Sequence, residues 1–457
     1  MSAAVMPPAS ITPAELFRGQ ALLGTAPATL SGVARDSRLV STGAAYIAQD
    51  GNSAHLLQAM ERHAGVLVTA GLAPRGVRLA LRTPHPRWSF ARASCALHNL
   101  DRRCPPLIAT TGTKGKSTVT HLAWWLLGAG AARVGTIGWH DGSSERKNAQ
   151  TTPPPDELHG FLAGLPAGCP GVALEASSHG CDQFRLAGLQ LAALAVTGIG
   201  HDHLDYHQST AAYVAAKLRA VQLLVPGGLL VLNAADAHVG EFARAGANVG
   251  AEVVLLAAAD CRAPSPLPGA FNAWNTEAAV RLVSRLGVSR ELALERLASM
   301  PAIPGRLELL AHAPLTYVDY AHTPESIAAV LGAVRAAHPG KPVAIVFGCG
   351  GDRDPSKRAP MGAAAATADL VVITTDNSRS EDPQVIAAQI RAGVGATACV
   401  SEPERAAAIR AARTAIGRNG VVVVAGKGHE TTQDIGGVVT AWDDRAFVAG
   451  LDAESQP

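Results

Sequence analysis

No CxxC pair occurs in the 457-residue sequence, and its seven cysteines (Cys95, Cys104, Cys169, Cys181, Cys261, Cys349, Cys399) are scattered and odd in number. That spacing argues against a disulfide framework or a zinc ribbon and suits a reducing cytosol. A surplus of one charge is also missing: the formal net charge is only +2. Without a long-range field, nucleic-acid partners are not expected and any basic site must be local. The stretch from Met1 to Ser10 lacks a basic segment followed by an apolar core, and no uninterrupted apolar run reaches membrane-spanning length. These absences point to a soluble, cytoplasmic protein with no membrane insertion. Aromatic residues are scarce. What is abundant is alanine, with glycine and proline spread along the whole length, and the composition is globular. The length suits two or three domains rather than one core.

Three stretches differ in texture. Residues 1–104 are mixed, with turn clusters and one short polar motif, Asp36-Ser37-Arg38. Residues 105–300 open at Pro105-Pro106 with a brief apolar run, a glycine loop, and a helical pattern carrying Val119, Leu122, Ala123, Leu126 and Leu127 on one face. Residues 301–457 follow a boundary placed near Met300. Apolar strand candidates recur at Val172–Leu174, Leu191–Val196, Leu229–Leu232, Ala344–Phe347, Leu370–Ile373 and Val421–Val424. Continuous apolar strands alternating with helices predict parallel sheets covered on both faces, an α/β fold. Polar clusters begin directly after most of them, at the carboxyl edge where open α/β sheets bind ligands.

Thr111-Gly-Thr-Lys-Gly-Lys-Ser117 lies between strand and helix. Backbone N–H groups at Gly112, Thr113, Gly115 and Thr118 can then face phosphate oxygens, with Lys116 as cation and Ser117 toward Mg²⁺. The spacing departs from GxxxxGK[ST], and a glycine turn with a chance lysine is the bland reading. Glu175 ends a strand, and His201-Asp-His-Leu-Asp-Tyr-His207 follows the next apolar strand, so neighbouring strands should bring the two together. Glu175 with His203 is a workable Mg²⁺ or Mn²⁺ set when phosphate and water complete the shell. Alone, His203 reads as a hydrogen-bonded turn histidine.

TGTKGKS, LEASSHGCDQFR, HDHLDYH, YVAAK, GAFNAWN, PGRLE, VDYAHTP, VFGCGGDRDPSKR, TTDNSRSEDP and AGKGHETTQ stand in the order found in the Mur ligase family, from about Pro106 to Arg445. The sequence most resembles the MurE type. The resemblance implies three domains: a small N-terminal α/β domain for a UDP-linked substrate, a central phosphate-loop ATP domain and a C-terminal Rossmann-like domain for an amino acid. It implies catalytic roles for Lys116, Lys217 and His203, with Ser117 on a first Mg²⁺, Glu175 and His203 on a second, and Lys217 carbamylated into a carboxylate able to bind Mg²⁺. Asn272, Arg306 and Asp319 match positions that hold adenine and ribose. Ser37, Thr151, Thr152, Ser177, Gln183 and Arg185 match those that bind the muramoyl-peptide acceptor. Read without the family, Lys217 is an exposed helix lysine, and Thr151, Thr152 and Ser177 are helix or turn caps.

Asp376-Asn-Ser-Arg379 resembles the DNPR sequence associated with meso-diaminopimelate, whose distal end carries an amine and a carboxylate. Arg379 can clasp that carboxylate through two hydrogen bonds. Arg353 and Glu430 match positions for a carboxylate and an ammonium, with Asp376, Asn377 and Gly426 in the same amino-acid set. The competing reading of Arg379 is a solvated loop arginine paired with Glu381 or Asp382. The expected activity is ATP-dependent ligation of meso-diaminopimelate to UDP-N-acetylmuramoyl-L-alanyl-D-glutamate through an acyl phosphate, by a monomer, in peptidoglycan precursor synthesis. Two departures bear on the choice of substrate: Ser378 stands where the motif has proline, and the stretches near Gln49–His55 and Asn233–Gly269 are short. They leave open a relative acting on another amino acid or acceptor. A phosphate-loop switch or transport ATPase, or a degenerate binding scaffold, are the readings from other classes.

Overall fold

The computed structural model describes residues 12, 23–24, 30–48, 53–62, 64, 66–70, 79–147, 150–200 and 202–453. The sequence around Gln49–His55 therefore lies partly outside the described residues, as does His201. Apolar runs with no polar alternation become strands buried on both faces. Leu107–Thr111, Val343–Phe347 and Val421–Val424 are buried at every position. Leu191–Val196, Leu370–Ile373 and Val421–Val424 begin and end where the sequence pattern places them. Three others extend beyond the apolar core of the pattern, as Val172–Glu175, Leu224–Asn233 and Val343–Phe347.

The chain divides into two compact units, one of Met1–Ala257 with Ala278–Arg290, the other of Ala258–Glu277 with Glu291–Pro457. Among the described residues of the first unit, an eight-stranded sheet runs Glu252–Leu256, Leu224–Asn233, Leu191–Val196, Leu107–Thr111, Val172–Glu175, Ala132–Gly135, Gly138–His140, Glu145–Arg146. The first six are parallel and the last two antiparallel. This order corrects one expectation. Val172–Glu175 and Leu191–Val196 are not neighbours; they flank the loop-bearing strand, Thr110 pairing with Glu175 on one side and Ala195 on the other. Placing the loop strand centrally lets both polar clusters border it, because ligand loops gather at the carboxyl ends of parallel strands.

The first unit also holds a smaller sheet whose strands Val66–Thr69, Ala45–Ile47 and Val33–Ala34 lie parallel. Arg35 bonds Asp156 at 3.0 Å, tying this region to the helix Pro155–Ala163. The second unit has a six-stranded sheet in the order Glu308–His312, Leu315–Val318, Val421–Val424, Val343–Phe347, Leu370–Ile373, Cys399–Ser401. Only the first pairing is antiparallel. A hairpin of Thr432–Ile435 and Val438–Ala441 turns at Gly436-Gly437, both at positive φ, as a two-residue turn of this kind demands.

Two loops at the carboxyl edge of that sheet share an anchor. Fully buried Arg405 grips Asp444 through Nε and Nη2, both at 2.7 Å, and donates to the carbonyls of Ala425 at 3.0 Å and Thr375 at 3.3 Å. Removing the guanidinium leaves a buried carboxylate without its charge partner, a loss of about 3–5 kcal/mol. Arg405→Ala is expected to move urea unfolding of this unit to lower denaturant. Arg405→Met with Asp444→Leu, which removes both charges, should recover most of the loss.

Candidate active site

Local sequence explains the phosphate loop. Gly112 has φ +139°, and a Cβ there would lie 1.9 Å from Thr197 Oγ1, so only glycine fits. Gly115, at φ +84°, precedes the helix Lys116–Leu127, which Gly128 ends. Ser117 and Thr118 fall in its buried first turn. The Gly112 carbonyl accepts from both Lys116 Nζ, at 3.0 Å, and Lys217 Nζ, at 2.7 Å. Lys116 also donates to the Thr113 carbonyl, while Thr113 Oγ1 meets Tyr213 Oη at 3.0 Å and accepts from the Gly200 N–H at 2.8 Å.

Lys217 is not the exposed helix lysine of the alternative reading; it is 1% exposed on the helix Thr210–Val221. Burial first, then the Lys116 ammonium, pushes its amine well below the ordinary lysine range. His203 is half-exposed at φ +54°, with its ring 5.0 Å from His179 and Nε2 3.6 Å from Asp202. Burial, reinforced by Lys116 but opposed by Asp202, lowers its basicity. The structure brings it near the two lysines but not into contact with Glu175.

Glu175 is the hub of this edge. Its Oε2 accepts from Ser117 Oγ and Thr136 Oγ1, each at 3.1 Å, and its Oε1 from the Thr136 N–H at 2.8 Å. Thr136 Oγ1 meets Thr151 Oγ1 at 2.9 Å. Thr152 donates to the Glu175 carbonyl at 2.6 Å and accepts from the Ser177 N–H, and Ser177 caps the next helix through Gly180. Arg185 bonds the Thr152 carbonyl and Gln183 Oε1. One hydrogen-bonded network thus joins Ser117 of the loop to Thr151, Thr152, Ser177, Gln183 and Arg185. Ser37 stands outside it, donating to Gln58 at 2.5 Å. The capping reading of Ser177 is correct as local structure and leaves its N-terminal helix edge beside the network.

Among the described residues no group of three or more His, Cys, Asp or Glu side chains is set to hold a metal. Ser117 Oγ and the Glu175 carboxylate still form a hard-oxygen pair that fits a dication taking its remaining ligands from phosphate and water. Sequence reasoning missed Thr136, which stands in no recognised motif, and Tyr213, which lies within one.

In the second unit, buried Asp319 accepts the Leu307 and Ala321 N–H groups at 2.7 Å each, and burial raises its carboxyl against the pull of Arg306. Arg306 lies over the Tyr320 ring at 4.8 Å. Asn272 is buried and bonded to the Pro268 carbonyl and to Asn275. The amino-acid set is spread over three loops, Asp376, Asn377 and Arg379 on one, Gly426 and Glu430 on another, and Arg353 on the loop after Val343–Phe347. Asn377 Nδ2 donates to Glu430 Oε2 at 2.9 Å, and Asn377 Oδ1 accepts from Lys427 Nζ and the Asp434 N–H. Gly426, at φ +107°, is required because a Cβ would sit 2.5 Å from Asp376 Oδ2. Arg379 pairs with neither Glu381 nor Asp382: Arg358 holds Glu381, and Asp382 caps the helix Pro383–Val394. Arg379 instead donates to the Gly351 carbonyl, while exposed Arg353 has no ion pair among the described residues.

Ser378, in place of the motif's proline, is buried, and its Oγ finds no hydrogen-bond partner. Two hydrogen bonds join this loop to the hairpin strand Thr432–Ile435. Gln433 Nε2 reaches the Thr375 carbonyl at 3.0 Å, and the Arg379 N–H reaches the Asp434 carbonyl at 3.1 Å. An unsatisfied buried hydroxyl costs about 1–3 kcal/mol. Ser378→Ala is therefore expected to stabilise the protein by about 1 kcal/mol, seen as a higher Tm in calorimetry.

A glycine loop between a central parallel strand and a helix in one unit, and a mostly parallel sheet with its own loop cluster in the other, define a phosphate-loop α/β protein of more than one domain. Family models for the Mur ligase middle domain and the Mur ligase glutamate ligase domain match residues 110–262 and 305–428. The chain belongs to the Mur ligase family. It is 38% identical, over 93% of its length and 96% of the relative, to a UDP-N-acetylmuramoyl-L-alanyl-D-glutamate–2,6-diaminopimelate ligase of Caulobacter vibrioides. It is 36% identical to the ligase of the same name from Rhizobium meliloti, over 92% and 93% of the two chains. A solved structure bearing that name superposes with a TM-score of 0.69 at 28% identity, covering 98% of this chain and all of the other. MurF from Acinetobacter baumannii shares the fold, with a TM-score of 0.61 at 18% identity over 92% and 96% of the two chains. Among the described residues no helix is long and apolar enough to cross a membrane.

Proposed function

We propose that this chain is the ATP-dependent ligase that joins meso-diaminopimelate to the D-glutamate carboxylate of UDP-N-acetylmuramoyl-L-alanyl-D-glutamate, in the cytoplasm and as a monomer, for peptidoglycan precursor synthesis. The relatives covering nearly the whole chain support the reaction. The observation that carries the site is the network from Ser117 through Glu175 to Thr152 and Ser177, which sets phosphate-loop and acceptor candidates on one sheet edge. Residues 1–104, 105–300 and 301–457 would then serve the UDP substrate, ATP and the amino acid.

In the first step the acceptor carboxylate attacks the γ-phosphorus of ATP, the bond to the β-phosphate oxygen breaks, and ADP leaves. Two anions must approach, so the catalytic need is neutralisation and alignment rather than one general base. Lys116 and the loop N–H groups supply fixed positive potential. Asn272, Arg306 and Asp319 would hold the nucleoside, and Ser37, Gln183 and Arg185 the acceptor. In the second step the amine of the amino acid attacks the acyl phosphate carbonyl, loses a proton, and phosphate departs from the tetrahedral intermediate. Asp376, Asn377, Glu430, Arg353 and Arg379 would orient that amine by its distant end, with Gly426 admitting the ligand. Ser117, Glu175, His203 and carbamylated Lys217 would hold Mg²⁺, which when bound neutralises phosphate charge.

Ser378 favours one second reading, a ligase of the same chemistry for another amino acid. A single assay separates these. Phosphate release with ATP and Mg²⁺ should require both the UDP-linked dipeptide and an amino acid, with diaminopimelate preferred across a panel. Release without either cosubstrate would instead describe a switch or transport ATPase.

A further inference from the structure

Lys427 was not among the residues singled out in the sequence, yet it occupies the middle of the amino-acid loops. It is fully buried. Its ammonium lies 3.1 Å from Glu430 Oε2, 3.1 Å from Asn377 Oδ1 and 3.9 Å from Asp376 Oδ1. Asn377 Nδ2 closes the triangle on Glu430 Oε2 at 2.9 Å. A buried ammonium persists only when paired and hydrogen-bonded, and these contacts supply both conditions. The triangle also fixes which way the Asn377 amide faces, since its oxygen must meet Lys427 and the Asp434 N–H while its nitrogen meets Glu430. Both protein hydrogen bonds to the Glu430 carboxylate fall on Oε2, so Oε1 keeps its lone pairs for a ligand.

We infer that Lys427 is a positioning residue that sets the selectivity of this pocket by cancelling one of its two carboxylate charges. The inference rests on the proposed reading of these loops as the amino-acid site. With Lys427 in place, Asp376 and Glu430 together present one net negative charge, and Arg353 and Arg379 remain for a carboxylate. That balance suits the distal end of diaminopimelate, which carries an ammonium and a carboxylate and is neutral overall. Lysine is the same chain without the distal carboxylate, so its distal end is a net cation. Deleting the Lys427 charge makes the pocket more negative, which favours the cationic end and disfavours the neutral one.

The experiment uses the full-length enzyme, ATP, Mg²⁺ and the UDP-linked dipeptide, with diaminopimelate or lysine varied. In Lys427→Met the ratio of kcat/KM for diaminopimelate to that for lysine is expected to fall at least tenfold. KM for diaminopimelate should rise far more than kcat falls, and KM for ATP should stay within twofold. Lys427→Arg keeps the charge but widens the group, so it should restore most of the selectivity ratio while KM for diaminopimelate stays raised about threefold. A Lys427→Met enzyme with an unchanged ratio overturns the inference. Should that variant be insoluble, Lys427→Gln, equally neutral but able to hydrogen-bond, decides in its place: an unchanged ratio of diaminopimelate to lysine overturns the inference. Failure of the wild-type enzyme to use either amino acid would strike the proposed function itself, a result distinct from both.

Discussion

Lys217→Ala is expected to abolish turnover, with phosphate release down by about 10³-fold, the scale of losing a group that stabilises transition-state charge. Small carboxylates at high concentration should restore part of it. The reason begins with one carbonyl oxygen. Gly112 O receives both Lys116 and Lys217, and two ammonium groups sharing an oxygen in a buried setting repel each other. Lys217, the more deeply buried, is pushed well below the usual lysine value. A neutral amine can attack carbon dioxide, forming an N–C bond and releasing a proton, and the product is a carbamate carrying a negative charge. A cation is thereby exchanged for a carboxylate among the groups proposed to hold Mg²⁺. The sign of the pH effect follows: as pH falls through the lowered pKa, the amine is protonated, the carbamate is lost, and activity drops on the acid side. Native mass spectrometry should show the added carbon dioxide on wild type and not on Lys217→Ala. Unchanged activity in the variant would remove the metal role.

How far the molecule could be read in advance depended on the range of the interactions involved. Val421–Val424 and Leu191–Val196 were legible because strands buried on both faces must be apolar at every position. The glycine loop was legible because a positive φ at Gly112 and Gly115 leaves a residue-type signature. Strand order was not, since pairing the loop strand with both Val172–Glu175 and Leu191–Val196 is set by contacts remote in sequence. Strands as short as Val33–Ala34 carry no period to detect. The same limit hid Thr136, which bonds Glu175 across 39 positions, and the Arg358 grip on Glu381, a carboxylate two residues from Arg379 in sequence. Lys427 had a signal, a lysine inside the AGKGHE cluster after a buried strand, but only the triangle with Asn377 and Glu430 gives it a task.

Arg379→Ala is expected to raise KM for diaminopimelate by about 10²-fold while leaving KM for ATP within about twofold, because truncating one partner of a hydrogen-bonded charge pair costs about 2–5 kcal/mol. The backbone supports the assignment before the side chain does. Arg379 sits at φ +50°, a conformation that a bulky residue holds only when its surroundings insist. The hairpin supplies that insistence, through the Arg379 N–H to the Asp434 carbonyl at 3.1 Å and a bridge to Ile435. One guanidinium nitrogen is spent on the Gly351 carbonyl, which orients the fork and leaves its other donors for a carboxylate. A Cβ at Gly350 would approach Nη1 to 3.1 Å, so any side chain there would press on the guanidinium. Arg379→Lys keeps a charge but not the planar fork, so its KM for diaminopimelate should fall between those of wild type and alanine. Lysine as substrate offers no distal carboxylate, and its KM should barely respond to Arg379→Ala. Equal loss for lysine and diaminopimelate would mean that Arg379 holds the loop rather than the ligand.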